Sequence, residues 1–529
     1  MAARFRTTLF AKSMNDPLLP TGDRAEHGPG RRRKHRTPQY VDGPALRYAL
    51  WRRIKGRVLL LSLTLGTVGL LFLAPKWISF PHAALVMASI PLLTMALAGL
   101  PHLLRDPVVR TIAVTAASVR NREPGDQLLP PCVAREAFSE TFALVVGVGF
   151  SADNHVDVLT NGDGTYEVLW SDLRAAQRSI TVQMYYAGSG RVADTTIEIL
   201  AARARAGLDV YFLYDAFGTA DLPRQYLETL RLSGVHMAPF RPIRWYALDN
   251  ASHRLHVRGV VVDGRIGFTG GFGLDDKWLG DGRQPGQWRD TNVRFSGAVV
   301  ESLQAGFVAA WSTATGEVLA GDFLRCTTAL PGTQASQPRG IGSGSADAVV
   351  AAFVRSPPLM GSTAAERLLA LAIASAARTL YISNAYFVPT LGFARLLVEA
   401  AQRGVDVRIL TNGRQSDVRT TWLAGRRSYE PLLRAGVRIY EYSTTIHAKT
   451  FVVDGHLSAI STMNFDNRSL AYNNEVALVT LDGTIGSYMA SLFLQDARYA
   501  DEILLAAFRT RAWTSRLLER MASIGSRLL

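Results

Sequence analysis

Cysteine is almost missing from this chain: 529 residues contain two, Cys132 and Cys326, far apart in sequence. That excludes a disulfide framework and a cysteine-built metal site. No cluster of His, Asp and Glu at metal-ligand spacing stands elsewhere, so neither a metal nor another cofactor is expected. A basic body is missing too. The formal charge is +14, but residues 1–57 hold 14 Lys/Arg against 4 Asp/Glu, and everything beyond carries only four of the fourteen charges. A near-neutral body cannot supply the basic groove that tracks a nucleic-acid backbone. A basic tail beside an apolar segment faces anionic lipid more readily than DNA. Low hydrophobicity is absent as well: 48% apolar residues with 22 Phe exclude a globally disordered chain, and the length suggests two to four units.

What is present divides the chain. Residues 1–57 form a polar, basic tail that includes Arg31-Arg32-Arg33-Lys34-His35-Arg36 and buries too little to fold alone. Residues 58–104 hold two uncharged runs, 58–74 and 83–100, with Lys76 in the short connection. Each run is at the lower end of the length that spans a bilayer, and the pair reads as a two-helix membrane hairpin. A pair of buried helices or a cleaved signal peptide fits less well. Arg47, Arg52, Arg53, Lys55 and Arg57 precede the hairpin, and Arg105, Arg110, Arg120 and Arg122 follow it. By the positive-inside rule both ends face the cytoplasm.

After a connecting region, residues 105–152, the pattern becomes α/β. Residues 180–186 and 210–214 read as strands around a helix at 195–205. The same order returns at 380–387, 393–402 and 407–410. Arg205-Ala206-Gly207-Leu208-Asp209-Val210 matches Gln402-Arg403-Gly404-Val405-Asp406-Val407, and Ser233-Gly234-Val235 matches Ala435-Gly436-Val437. The chain therefore contains a duplication, giving lobes at 153–330 and 347–529 joined by a Gly/Ser-rich linker at 331–346. Residues 513–521 read as a basic amphipathic helix that either lies on a membrane surface or docks on the second lobe.

Each lobe carries one motif, H-x-(K/R)-x4-D: His256, Arg258 and Asp263 in the first, His447, Lys449 and Asp454 in the second. On a strand, side chains at i and i+2 share a face, so histidine and cation project together, a pairing suited to a phosphate. One such motif is weak; two inside a duplication are strong. Downstream stand Gly270-Gly271-Phe272-Gly273 and Trp288-Arg289-Asp290-Thr291 in the first lobe. The second has Asn464-Phe465-Asp466-Asn467-Arg468-Ser469 and Asn473-Asn474-Glu475.

These paired motifs resemble those of the phospholipase D superfamily. The Trp288–Thr291 segment, Ala385-Tyr386-Phe387-Val388-Pro389 and the run from Asn464 to Glu475 resemble bacterial cardiolipin synthases more narrowly. The likeness covers residue 153 to the C-terminus. Arg258 stands where the family has lysine, and Gly273 where it usually has asparagine. The resemblance implies two phospholipase D-type lobes, each a mixed sheet flanked by helices, sharing one site. It implies phosphatidyl transfer between two phosphatidylglycerol molecules, giving cardiolipin and glycerol through a phosphohistidine, with no metal. His256 is then the nucleophile and His447 the acid/base. Arg258, Lys449 and Asn464 hold phosphate oxygens, and Ser469 belongs to the same supporting set. Glu475 is expected to orient His447, and Asp290 to orient His256. Asp263 and Asp454 complete the catalytic motifs and are expected to brace the strand and its turn. The implied partners are a phospholipid and a membrane, not nucleic acid, and the implied place is the bacterial inner membrane with the lobes on its cytoplasmic side. Lipid hydrolysis with water is the alternative; a superfamily nuclease or a weakened membrane scaffold fits less well.

Overall fold

The computed structural model describes residues 130–242, 253–326, 345–358 and 362–525. The basic tail, both apolar runs and most of the linker lie outside these residues. Among the described residues no helix is long and apolar enough to cross a membrane.

The first repeat contributes strands β1 (Ser151–Thr160), β2 (Ser179–Met184), β3 (Asp209–Asp215), β4 (His236–Phe240), β5 (Gly259–Val262), β6 (Ile266–Gly270), β7 (Trp288–Arg289) and β8 (Thr291–Ser296). The second contributes β9 (Ser345–Ser356), β10 (Thr379–Asn384), β11 (Asp406–Asn412), β12 (Arg438–Tyr442), β13 (Thr445–Ile446), β14 (Lys449–Val453), β15 (Leu457–Ser461), β16 (Glu475–Leu481) and β17 (Ala500–Glu502). One sheet of 15 strands contains all but β7 and β13, in the order β17-β12-β11-β10-β14-β15-β16-β9-β1-β8-β6-β5-β2-β3-β4. Reading outward from the middle, the two halves repeat one plan. Strands β2, β3 and β4 are parallel and β5 joins β2 antiparallel, just as β10, β11 and β12 are parallel and β14 joins β10 antiparallel. The expected lobes are therefore halves of one mixed sheet, fused where β1 meets β9 antiparallel.

The central strands are apolar runs because both of their faces are covered. All four residues of β5 and all five of β14 are buried. One hydrophobic cluster is shared by both repeats: Val257, Val261 and Phe295 of the first pack with Phe353, Ile460 and Val476 of the second beneath the helix Val299–Thr315. The rings of Phe295 and Phe353 meet across the fusion line with centroids 5.5 Å apart. Burying a phenyl side chain contributes about 1.5–3 kcal/mol, so this contact supports the seam directly.

The last residue of each motif sits in a tight hairpin. Asp263 and Gly264 have φ of 54° and 63°, and Asp454 and Gly455 have 53° and 64°. Two successive positive φ values are what an Asp-Gly type I′ turn requires. The turns close with Arg265 N–H donating to the Val262 carbonyl and His456 N–H donating to that of Val453, both at 3.0 Å.

Candidate active site

Strand β5 follows directly from His256 and Arg258, and β14 begins at Lys449, two residues after His447. Both histidines are buried, at 6% and 4% exposure. Each Nδ1 meets a carboxylate. His256 Nδ1 is 2.8 Å from Glu475 Oε1, and His447 Nδ1 is 2.9 Å from Asp290 Oδ2. This reverses the expected partners: Glu475 serves His256, and Asp290 serves His447. The cause is the seam. Asn474 N–H donates to the Arg254 carbonyl, which lays the Glu475 segment beside the His256 segment. Strand β7 pairs with β13, and His447 N–H donates to the Arg289 carbonyl at 2.7 Å, which brings Asp290 to His447. Each imidazole is thus oriented from the other repeat.

The outward nitrogens differ in their neighbours. Arg258 Nη1 lies 3.1 Å from His256 Nε2. A guanidinium only donates, so Nε2 there holds a lone pair and Nδ1 carries the hydrogen given to Glu475. Thr462 Oγ1 donates to Glu475 Oε2 at 2.5 Å. Burial, with Arg258 and Lys449 adding to it, holds the His256 imidazole well below its ordinary value. The neutral form is therefore the resting one. His447 is held down to about 3 by burial and then Lys449, against the pull of Asp290. Burial would raise the Asp290 carboxyl, but the hydrogen bond and charge of His447, then Lys449 and Trp278, leave it lowered. Burial brings the Lys449 ammonium down to about 7; it donates to the His447 carbonyl at 2.5 Å.

The supporting residues divide. Asn464 is 4% exposed and its buried amide oxygen has no partner among the described residues, a costly state that a polar ligand would relieve. Ser469 does not turn to the reactive side: its N–H donates to Asp466 and its hydroxyl bears on Glu475. Asp263 and Asp454, the last residues of the motifs, act as structural clamps, as expected of residues that brace the strand and its turn. The Asp263 carboxylate accepts from the amides of Gln177, Arg178 and Ser179, and that of Asp454 from those of Ala377, Arg378 and Thr379. Both carboxylates are consumed at the far end of their strands from the histidines.

Gly273 gains a reason that the sequence alone could not supply. A Cβ there would stand 2.7 Å from the Trp278 ring and 3.0 Å from the Tyr186 carbonyl. Trp278 occupies the volume, and its indole N–H donates to Asp290 Oδ2 at 2.8 Å. Trp278 and Trp288 pack on the His447 ring, with centroids at 5.3 and 4.9 Å, while Tyr185 packs on His256 at 4.6 Å.

Sequence reasoning missed Lys277. Its ammonium lies 3.5 Å from the Tyr186 ring centroid, 4.2 Å from Trp288 and 5.0 Å from Trp278. It makes no ion pair with a described carboxylate, and burial lowers it to about 8. The signal was the aromatic spacing around it, Trp278 adjacent and Trp288 eleven residues on. A cavity of about 440 Å³ also reaches Glu475. Leu255 and Val257 line it but His256, His447 and Lys449 do not, so it lies behind the reactive side of the strand.

Residues 369–497 match the family model described as "Cardiolipin synthase, PLD-like domain". A cardiolipin synthase from Geobacillus kaustophilus (strain HTA426) is 35% identical over 376 residues, 70% of this chain and 72% of that one. Cardiolipin synthase 2 of Bacillus anthracis is 34% identical over 385 residues, 72% of each chain. The chain belongs to the cardiolipin synthase family. It is an enzyme of the phospholipase D superfamily, of the phosphatidyltransferase type. Among solved structures, phosphatidylserine synthase of Haemophilus influenzae Rd KW20 shares the fold, with a TM-score of 0.53 and 13% identity over 74% of this chain and 98% of that one.

Proposed function

We propose that this enzyme joins two phosphatidylglycerol molecules into cardiolipin and releases glycerol, at the cytoplasmic face of a bacterial inner membrane. The observation that carries the reading is the pair of buried imidazoles, each held at Nδ1 by a carboxylate from the opposite repeat. In the first step the His256 Nε2 lone pair attacks phosphorus, and the bond from phosphorus to the glycerol oxygen breaks. Arg258 turns from Nε2 to a phosphate oxygen, freeing the lone pair, and Lys449 and the Asn464 amide meet the non-bridging oxygens. An anionic phosphodiester against Lys449 cancels a charge that keeps His447 unprotonated. The imidazole therefore takes up a proton as substrate binds and gives it to the departing glycerol. In the second step neutral His447 removes the proton from the terminal hydroxyl of a second phosphatidylglycerol. That oxygen attacks phosphorus, the phosphorus–nitrogen bond breaks and His256 is restored.

The acceptor carries its own phosphate, separated from the attacking oxygen by a short glycerol arm of roughly 6 Å. Lys449 being engaged by the first phosphate, Lys277 is a second cation on the His447 side that can meet it, since the Trp288 ring touches both Lys277 and His447. Purified full-length protein in mixed micelles with phosphatidylglycerol is expected to form cardiolipin and free glycerol. Phosphatidic acid alone would replace this reading with a hydrolase. With ethanol as a competing neutral acceptor, Lys277→Met is expected to lower the ratio of cardiolipin to phosphatidylethanol about tenfold, a typical scale for one charge-assisted contact. An unchanged ratio would remove Lys277 from acceptor recognition.

A further inference from the structure

The C-terminal helix Trp513–Gly525 is built inside out. Among its described side chains the one it buries is an acid: Glu519 is 3% exposed and accepts from Arg426 Nε at 3.1 Å and Arg511 Nη2 at 2.9 Å. One turn on, the Ser523 hydroxyl accepts from Arg427 at 2.7 Å. Residues 519 and 523 share a helical stripe, and this polar stripe is the one docked on the protein, where the helix Arg419–Arg426 receives it. The opposite stripe is apolar and faces outward. Trp513, Leu517 and Met521 are 73%, 47% and 60% exposed, and Leu518 is 52% exposed. Arg516 and Arg520, both exposed, flank that stripe. The helix is thus docked on the second repeat, and no described residue covers its apolar face.

We propose that this face is a docking surface for an anionic lipid bilayer. Trp513, Leu517 and Met521 enter the interfacial layer, and Arg516 and Arg520 meet lipid phosphates. Tryptophan with aliphatic residues on one face and arginine at its edge is the composition that lies in a membrane interface. A second copy of the chain fits worse, because a twofold contact between these faces would bring their arginines together. The location has a use. The helix Arg419–Arg426 starts two residues after Asp417, whose carboxylate accepts from the Tyr386 hydroxyl at 2.5 Å and whose charge acts on Lys449 and Lys277. A bilayer on the outer helix would thus lie one element from the site.

The proposal shares its lipid with the proposed function, but its test reads position in a bilayer rather than turnover, so either can fail alone. The full chain, with Cys132→Ser and Cys326→Ser, carries an environment-sensitive fluorophore on Leu517→Cys or, as a control, on Glu228→Cys, an exposed position of the helix Arg224–Leu232. Both are reconstituted into vesicles of phosphatidylcholine with phosphatidylglycerol. The label at 517 is expected to be quenched about twofold by nitroxide lipids and shielded from iodide, unlike the label at 228. Arg516→Glu with Arg520→Glu is expected to weaken that quenching. A label at 517 as open to iodide as the control, and blind to nitroxide lipid, overturns the proposal. So does a label shielded from iodide yet blind to nitroxide lipid, which would mean a protein partner.

Discussion

His256 and His447 have the same tautomeric arrangement but different cations, and their separate tasks can be tested one residue at a time. With His447→Asn, the first step can proceed slowly with help from solvent, and the second stalls for want of a base. A phosphatidyl-protein adduct, stable to alkali and labile to acid, is expected to accumulate on His256. Loss of one acid/base group slows turnover by about two to four orders of magnitude, enough to trap it. Mass spectrometry of quenched protein locates the adduct, and finding it on His447 in His256→Ala would reverse the two roles. Lys449 sets a pH limit. Its ammonium, lowered to about 7, is charged below that value and neutral above it. Donor capture, read as kcat/KM, should therefore fall as pH rises through about 7. In Lys449→Arg the guanidinium stays charged, and the fall should vanish. A profile with the same alkaline limb in both proteins would assign that limb to another group.

At the scale of elements, the Gly273 segment and the short helical turn Asp276–Trp278 are one packing unit. Gly273→Asn drives a side chain into the Trp278 ring and the Tyr186 backbone, and overpacking of this kind costs about 1–3 kcal/mol. Adding Trp278→Leu should recover part of that loss, so the two changes are expected to be non-additive in denaturant unfolding. Additive changes would place the two residues in independent environments. Elements of this kind divide what a sequence discloses from what it hides. The motif strands and the duplication were legible because periodicity, composition and spacing are local. The carboxylate partners were not. Glu475 follows His447 by 28 residues in the chain, yet it bonds His256, 219 residues away. Nearness along the chain gave the wrong partner because β-strand pairing at the seam decides proximity there. Lys277 and the Gly273–Trp278 exchange were hidden for a related reason: each has meaning only beside a ring that folding delivers.

For the whole molecule, the fusion of β1 with β9 makes the two repeats mechanically one. Calorimetry of the full chain in detergent is expected to show both repeats melting in a single transition. Phe353→Ala removes a ring from the shared cluster and should cost about 3–5 kcal/mol while keeping that transition single. Two resolved transitions would show that the repeats hold separate stabilities. The exchanged carboxylates carry this unity into heredity. A change at Glu475 is felt first at His256, and a change at Asp290 at His447, so selection acts on neither copy alone. The copies remain free to drift apart elsewhere, and Arg258 beside His256 against Lys449 beside His447 shows a difference even next to the histidines. At the crossed pairs, each copy holds something on loan to its twin, and losing either half leaves a histidine with nothing to aim it.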